Sequence, residues 1–189
     1  MEPHKYPSEM EEHISLKDGS PVWLRPIRPD DAPRLQEGFA RLSPETIYMR
    51  FLETFRQLPD AQAEALANVD YQQRMALVGS IQEDGQERLV AVARYALIPA
   101  LAPGQEAPEP GLAEAGIVVR DDYQRRGLGK IIMNRLVRYA SLHGVQTFVA
   151  TVHVSNQRIL HFITQSGLSF ERKMFEPGVW EVRIPLSKA

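Results

Sequence analysis

From Leu112 onward, β-type and helical runs follow one another with little between them, and that order leaves few architectures open. Leu112 to Val119 is an apolar strand run, and a polar turn leads from it into a helical stretch from Gly127 to His143. The stripe of that helix is Leu128, Ile132, Leu136 and Ala140, and Gly144 stops it. Val145 to Val154 reads as a strand and Asn156 to Ser166 as a helix carrying Leu160 and Ile163. Leu168 to Phe175 and Val179 to Leu186 read as a hairpin around Pro177-Gly178.

The first half supplies the remaining layers. Val22, Leu24 and Ile27 mark a strand over Pro21 to Arg28, with Pro26 favouring an edge. Three helix starts follow. The first is at Pro29-Asp30-Asp31, with Leu35, Phe39 and Leu42 behind it. The second is at Ser43-Pro44, with Ile47, Tyr48, Phe51 and Leu52. The third is near Pro59-Asp60, with Ala63, Leu66 and Ala67. Met75 to Ile81 and Leu89 to Leu97 are strand runs joined by a hairpin at Glu83-Asp84-Gly85-Gln86, and the proline-rich stretch Pro99 to Gly111 reads as a surface loop. The order predicts an α/β (α+β) fold: a mixed, mostly antiparallel sheet of about six to seven strands flanked by helices. Residues 1–20 are expected to form an N-terminal tail or edge extension, and 21–187 a single domain.

Composition narrows the function. Both charge signs are interspersed with a net charge of −2, which gives no field for holding nucleic acid. The chain contains no cysteine, so disulfides, thiolate zinc sites and a cysteine nucleophile are excluded. No His, Asp or Glu set has metal-ligand spacing, and no nucleophile elbow is present. No run approaches the ~20 apolar residues of a spanning helix, and the polar start lacks the core of a signal peptide. A cytoplasmic protein with no metal, no nucleic acid and no membrane partner is expected.

The strongest local signal is a strand, then Gln124-Arg125-Arg126-Gly127-Leu128-Gly129-Lys130, then a helix. Helix N-termini expose unpaired N–H groups and the positive end of the macrodipole, and glycines let an anion approach that backbone. Arg125, Arg126 and Lys130 add charge for phosphates. The string is not a P-loop, because no Gly-Lys-Ser/Thr follows, and it lacks the continuation of a dinucleotide fingerprint. Taken alone, the glycine pair is equally compatible with a structural turn.

The run from Glu114 through Val118-Val119-Arg120 to Gln124-Arg125-Arg126-Gly127-Leu128-Gly129 resembles the acetyl-CoA signature of the GNAT superfamily of N-acetyltransferases. Asn156 with Gly167-Leu168 resembles that family's second block, with Leu168 where phenylalanine is usual. Arg25-Pro26-Ile27-Arg28-Pro29-Asp30-Asp31, Leu42-Ser43-Pro44-Glu45, Tyr48-Met49-Arg50-Phe51 and Val69-Asp70-Tyr71 followed by Arg74 to Val78 are similar to the acetyltransferase domain of bacterial Pat-type protein-lysine acetyltransferases. The resemblance spans most of residues 21 to 185. It implies a GNAT fold, acetyl-CoA as co-substrate, and an amine acceptor such as a protein lysine. Relatives often carry a further synthetase-like or cyclic-nucleotide-binding domain, for which 189 residues leave no room.

The same resemblance distributes roles. An alkylammonium with a pKa of ~10.4 must lose a proton before it attacks a thioester, and Glu114 stands where the relatives place a glutamate base. Ala113, Ala115 and Ile117 beside it are apolar, so partial desolvation is expected to raise its pKa; an exposed strand residue or salt-bridge partner is the plain alternative. Backbone groups of Ile117, Val118 and Val119 are implied to pair with the pantetheine arm and polarise the carbonyl. Asn156 is read as either a pantetheine contact or a helix N-cap. Where many relatives carry a tyrosine acid for the thiolate, this chain has Ile163; His153 and His161 are candidates only by proximity in sequence. The same chemistry on a small amine, and a non-catalytic acyl-CoA sensor, stay open, as do acyl-chain preference, regulation and the choice between monomer and homodimer.

Overall fold

The computed structural model describes residues 5–99 and 109–186. Eight strands form one sheet: β1 (Glu12–Ser15), β2 (Pro21–Pro26), β3 (Arg74–Glu83), β4 (Gln86–Leu97), β5 (Leu112–Val119), β6 (Thr147–His153), β7 (Glu171–Glu176) and β8 (Val179–Pro185). Their order is β1-β2-β3-β4-β5-β6-β8-β7. Every neighbouring pair is antiparallel except β5 and β6. The helices are α1 (Ala32–Ala40), α2 (Pro44–Phe51), α3 (Asp60–Ala67), α4 (Leu128–Leu142) and α5 (Gln157–Ser166). Most of the expected proline-rich loop lies outside the described residues.

Strand alternation sorts the core. Met75 and Leu77 of β3 face α4, joining Leu128, Ile132 and Leu136, which are completely buried. Ala76 and Val78 face the other way, into a cluster with Leu35, Phe39, Ile47 and Ala63 from α1–α3. A central strand covered on both faces must be apolar throughout, which is why β3 reads as a continuous run. Helix α5 packs on the far end of the sheet, where Leu160 and Ile163 meet Val152 and Val182.

The helix ends explain their boundaries. The Ser43 hydroxyl accepts from the Thr46 N–H (3.1 Å) with Pro44 in the first turn of α2. Gly144 is left-handed after α4, and Val145 N–H donates to the Ala140 carbonyl at 3.0 Å, a Schellman closure. Val145 is consumed by that closure, so β6 begins at Thr147 and not at Val145.

The sheet has one strand more than the upper expectation, and it comes from the segment read as tail or edge extension. β1 pairs with β2 from Glu12↔Leu24 to Ser15↔Pro21. The Glu12 carboxylate accepts two hydrogen bonds from Arg135 of α4, at 2.8 and 3.0 Å. This strand sets the Leu16–Ser20 turn beside the start of α4. Among the described residues no helix is long and apolar enough to cross a membrane.

Candidate functional site

The one parallel pair opens a wedge. β5 and β6 are in register only over Leu112↔Thr147, Ala113↔Phe148 and Glu114↔Val149, although β5 runs on to Val119 and β6 to His153. Beyond Glu114 the β6-facing backbone edge of β5 has no strand partner, and a backbone edge without partners is a set of donors and acceptors awaiting a ligand. The gap continues into a cleft of about 770 Å³, lined by Ala115 and Ile117 of β5, Thr151 of β6 and Asn156, Phe162 and Ile163 around α5.

At the open end of this wedge lies the glycine loop. Arg125 (φ +61°) and Gly127 (φ +91°) are left-handed and curl the backbone. Among the described residues the N–H groups of Arg125, Arg126, Gly127, Leu128, Gly129 and Lys130 donate to no protein acceptor, and no side chain caps α4. Donors without a protein partner at the positive end of a 15-residue helix are the groups that could hold an anion. A Cβ on Gly129 would stand 3.6 Å from Ile117 and Phe162 and 3.7 Å from Val119, so β5, α4 and α5 converge there.

The expected site residues divide by what they contribute. Leu128 is fully buried, leaving only its backbone for a ligand. Arg125 and Lys130 are exposed, whereas Arg126 pairs with Asp18 at 3.1 Å and lies over the Tyr123 ring. The Gln124 amide is turned inward, donating to the Val119 carbonyl (3.0 Å) and to the Thr46 hydroxyl (3.3 Å). It holds the loop to β5 and α2. Asn156 is the N-cap of α5, its side-chain carbonyl accepting from the Ile159 N–H at 3.2 Å, and it lines the wedge cleft. Ile163 is buried. His161 is exposed and His153 meets Ser155 at 2.7 Å; neither lines the cleft.

Glu114 departs from expectation in its surroundings. Side chains alternate along β5, so Ala113, Ala115 and Ile117 point toward α4 and pack in its core, while Glu114, Gly116 and Val118 face the α1–α3 side. The apolar neighbours are on the opposite face of the strand and do not desolvate the carboxyl, which is exposed. On its own face lies a second cavity, about 690 Å³, walled by apolar residues such as Phe39, Phe51 and Leu66. Arg50 and Gly116 line both cavities, so the two meet there.

Sequence reasoning gave no role to three residues at this junction. Arg50 lays its guanidinium over Gly116, where a Cβ would be only 2.5 Å from Arg50 Cζ. Arg94, paired across the ladder with Gly116, shares that face and donates to the Leu66 carbonyl at 2.9 Å. Burial lowers the pKa of Arg50, with Glu114 opposing. Burial, then the Arg50 and Arg74 charges, brings Arg94 down to about 10, again against Glu114. At about 10, Arg94 keeps its charge at neutral pH, and a guanidinium such as that of Arg50 holds its proton in proteins. The readable signal was Arg94 itself, a cation inside the apolar run Val90 to Tyr95. Lys17 also went unassigned; its aliphatic chain lies 3.6 Å from where a Gly127 Cβ would be.

Comparison with known proteins agrees with this geometry. The model of the acetyltransferase (GNAT) family matches residues 39–168. The chain is 34% identical over 158 residues to Acetyltransferase PA5475 of Pseudomonas aeruginosa, covering 84% of this chain and 80% of that protein. It is 30% identical over 172 residues to Acetyltransferase Pat of Mycolicibacterium smegmatis, covering 91% of this chain but 48% of that longer protein. The crystal structure of the GNAT domain of S. lividans PAT superposes with a TM-score of 0.82 at 26% identity, over 96% of this chain and 100% of that domain. A strand wedge ending at a helix-borne anion cradle, carried on this sheet and matched over most of its length, places the chain in the GNAT family of acetyltransferases.

Proposed function

We propose that the chain transfers an acetyl group from acetyl-CoA, the donor its family uses, to the ε-amine of a protein lysine, with Glu114 as general base. The carrying observation is the continuity of the site: six free N–H groups, then an unpartnered strand edge, then a carboxylate on the face where a second cavity opens. The donor supplies an activated acetyl thioester. The N–H groups of Arg125 to Lys130 take its pyrophosphate, helped by the Arg125 and Lys130 side chains, as backbone donors at a helix start do for phosphates. Ile117 and Val119 offer backbone on the open edge to the pantetheine arm and one N–H to the carbonyl oxygen, where a fixed donor stabilises developing negative charge, whereas Val118 turns its backbone groups to Val92 of β4. Asn156 flanks the arm from α5.

Glu114 receives the proton that the amine must lose, directly or through one water. Its exposure suits a base that meets an acceptor arriving from outside. The buried Ile163 offers no proton to the departing thiolate, so water supplies it. We assign the sheet from β1 onward, with its helices, to one catalytic domain of a cytoplasmic enzyme. The protein-lysine acceptor rests on the similarity to Pat.

Release of coenzyme thiol, followed with a panel of lysine-bearing proteins and of small amines, tests the reading. Site-specific acetyl-lysine on a protein, identified by mass spectrometry and absent with Glu114→Gln, is the expected result. Turnover confined to small amines would remove the protein acceptor, and acetyl-CoA binding without turnover on any amine would leave a sensor.

A further inference from the structure

The arginines of this protein are generally matched to carboxylates. Arg25, completely buried, has Asp31 at 2.6 Å and Glu87 at 2.8 Å. Arg120, which lines the α1–α3 cavity, has Asp122 at 2.7 Å and Glu83 at 3.3 Å. Arg50 and Arg94 line that same cavity, and among the described residues neither has a carboxylate oxygen within ion-pair distance. The protein acceptor of Arg94 is the neutral Leu66 carbonyl, and Arg50 has no hydrogen-bond acceptor among the described residues. Glu114 is the carboxylate whose charge both feel. Two half-buried cations against one anion leave a net positive charge beside apolar walls, with guanidinium nitrogens still open to a ligand from the cavity.

We infer that Arg50 and Arg94 form an anion-reading pair, and that the preferred acceptor carries a carboxylate close to its reacting amine. This rests on the acetyltransferase reading of the site and specifies the acceptor class. A bare ammonium approaching two guanidiniums and one carboxylate is repelled; an acceptor that brings its own carboxylate arrives with one positive charge fewer than its neutral counterpart and supplies the missing counter-charge. The geometry sets the spacing. Gly116, under Arg50 and opposite Arg94, is two residues from Glu114 on one strand face, about 7 Å along the strand. The carboxylate therefore lies about one side-chain length from the amine. Two sources fit: an acidic residue beside a protein lysine, or the α-carboxylate of a free amino acid.

The test compares Gly-Glu-Lys-Gly with Gly-Gln-Lys-Gly, blocked at both ends, and free lysine with lysinamide, by thiol release. A charge-assisted contact predicts kcat/KM at least about 10-fold higher for the acidic member of one pair, and which pair responds identifies the source. Arg94→Gln brings that ratio to within about 2-fold, Arg94→Lys retains part of it, and Arg94→Glu reverses it in favour of the neutral member. Each ratio is internal to one variant, so a general loss of activity does not mimic the effect. The acetylated products of both pairs, titrated by calorimetry in the presence of CoA, report the same preference without turnover. If nothing is acetylated but the acidic products bind more tightly to the wild type alone, the lysine reading fails and the anion pair stands. Equal ratios in wild type and Arg94→Gln overturn the inference, as does an equal loss on acidic and neutral acceptors with a shifted pH–rate profile, which would mean that the arginines act on the amine.

Discussion

Gly116→Ala adds one methyl group to the point where the two cavities meet, and its consequences can be worked from distances. The new Cβ would lie 2.5 Å from Arg50 Cζ and 3.0 Å from Nε, against an ordinary separation of about 3.5 Å. The guanidinium must withdraw by about 1 Å. It is the far end of a flexible side chain, so the cost is one strained rotamer, about 0.5–1.5 kcal/mol. Replacing a strand glycine returns about 0.5–1 kcal/mol through the unfolded chain. Net stability should therefore change by no more than about 1 kcal/mol, a shift in Tm of about 2–4 °C for a domain of this size.

Activity responds differently, because a displacement of about 1 Å in a positioning group is enough to cost up to about 10²-fold. The methyl points to the α1–α3 face, away from the α4 cradle, so acetyl-CoA affinity should hold. The expected pattern is a 10- to 100-fold fall in kcat/KM for the acceptor with melting and acetyl-CoA titration nearly unchanged. A double-mutant cycle with Arg50→Ala isolates the cause: once the guanidinium is gone, the added methyl should cost less than about 2-fold. An equal penalty in both backgrounds, or none in the wild type, would refute a role for the position of Arg50.

Glu114→Gln should lower turnover by about 10²-fold or more with acetyl-CoA affinity intact by calorimetry; an unchanged rate removes Glu114 from the mechanism. Gly127→Val forces a β-branched residue into a left-handed conformation, costing about 1–2 kcal/mol, and crowds the cradle beside Lys17; acetyl-CoA should bind at least about 10-fold more weakly, and unchanged affinity would contradict the cradle. For Asp31, burial alone would raise the pKa, but hydrogen bonds from Arg25 and the Arg28 N–H, with the Arg25 and Arg34 charges, hold it below the usual carboxylate range. A folded pKa below the unfolded value stabilises the protein at neutral pH, and that contribution fades as pH falls through about 4 toward the folded pKa. Asp31→Asn should cost about 3–5 kcal/mol in urea unfolding at pH 7 and flatten the acid dependence of the midpoint; an equally steep dependence in the variant would assign it elsewhere.

The fold was legible wherever a local pattern had only one way to be buried. The stripe Leu128, Ile132, Leu136 and Ala140 could face only a sheet, and Ser43-Pro44 could only begin a helix; both stand where the sequence puts them. β1 was not legible because its four residues carry weak alternation, and what holds them is distant in sequence: the β2 ladder and the Arg135 guanidinium, 123 residues away. The β5/β6 wedge was equally hidden. Both strands read as full-length runs, and that their pairing stops after three residues is a property of the assembled sheet, not of either segment.

The site divides along the same line. The helix start with its left-handed glycine was legible because its signal is local, completed within six residues. The charge environment of Glu114 was not, because sequence neighbours on a strand are spatial opposites. The apolar pair at positions 113 and 115 suggested a desolvated carboxyl, whereas alternation turns them to the other face and gives Glu114 the company of residues 116 and 94, on its own strand and the next, and of residue 50 from a helix. For a base on a strand, the residues at i±2 and their cross-strand partners set the electrostatics, and those at i±1 set the packing beneath. By that rule Arg94, a cation inside the apolar run Val90 to Tyr95, marks the face of the sheet that Glu114 shares, and the paired acceptors test what it matches there.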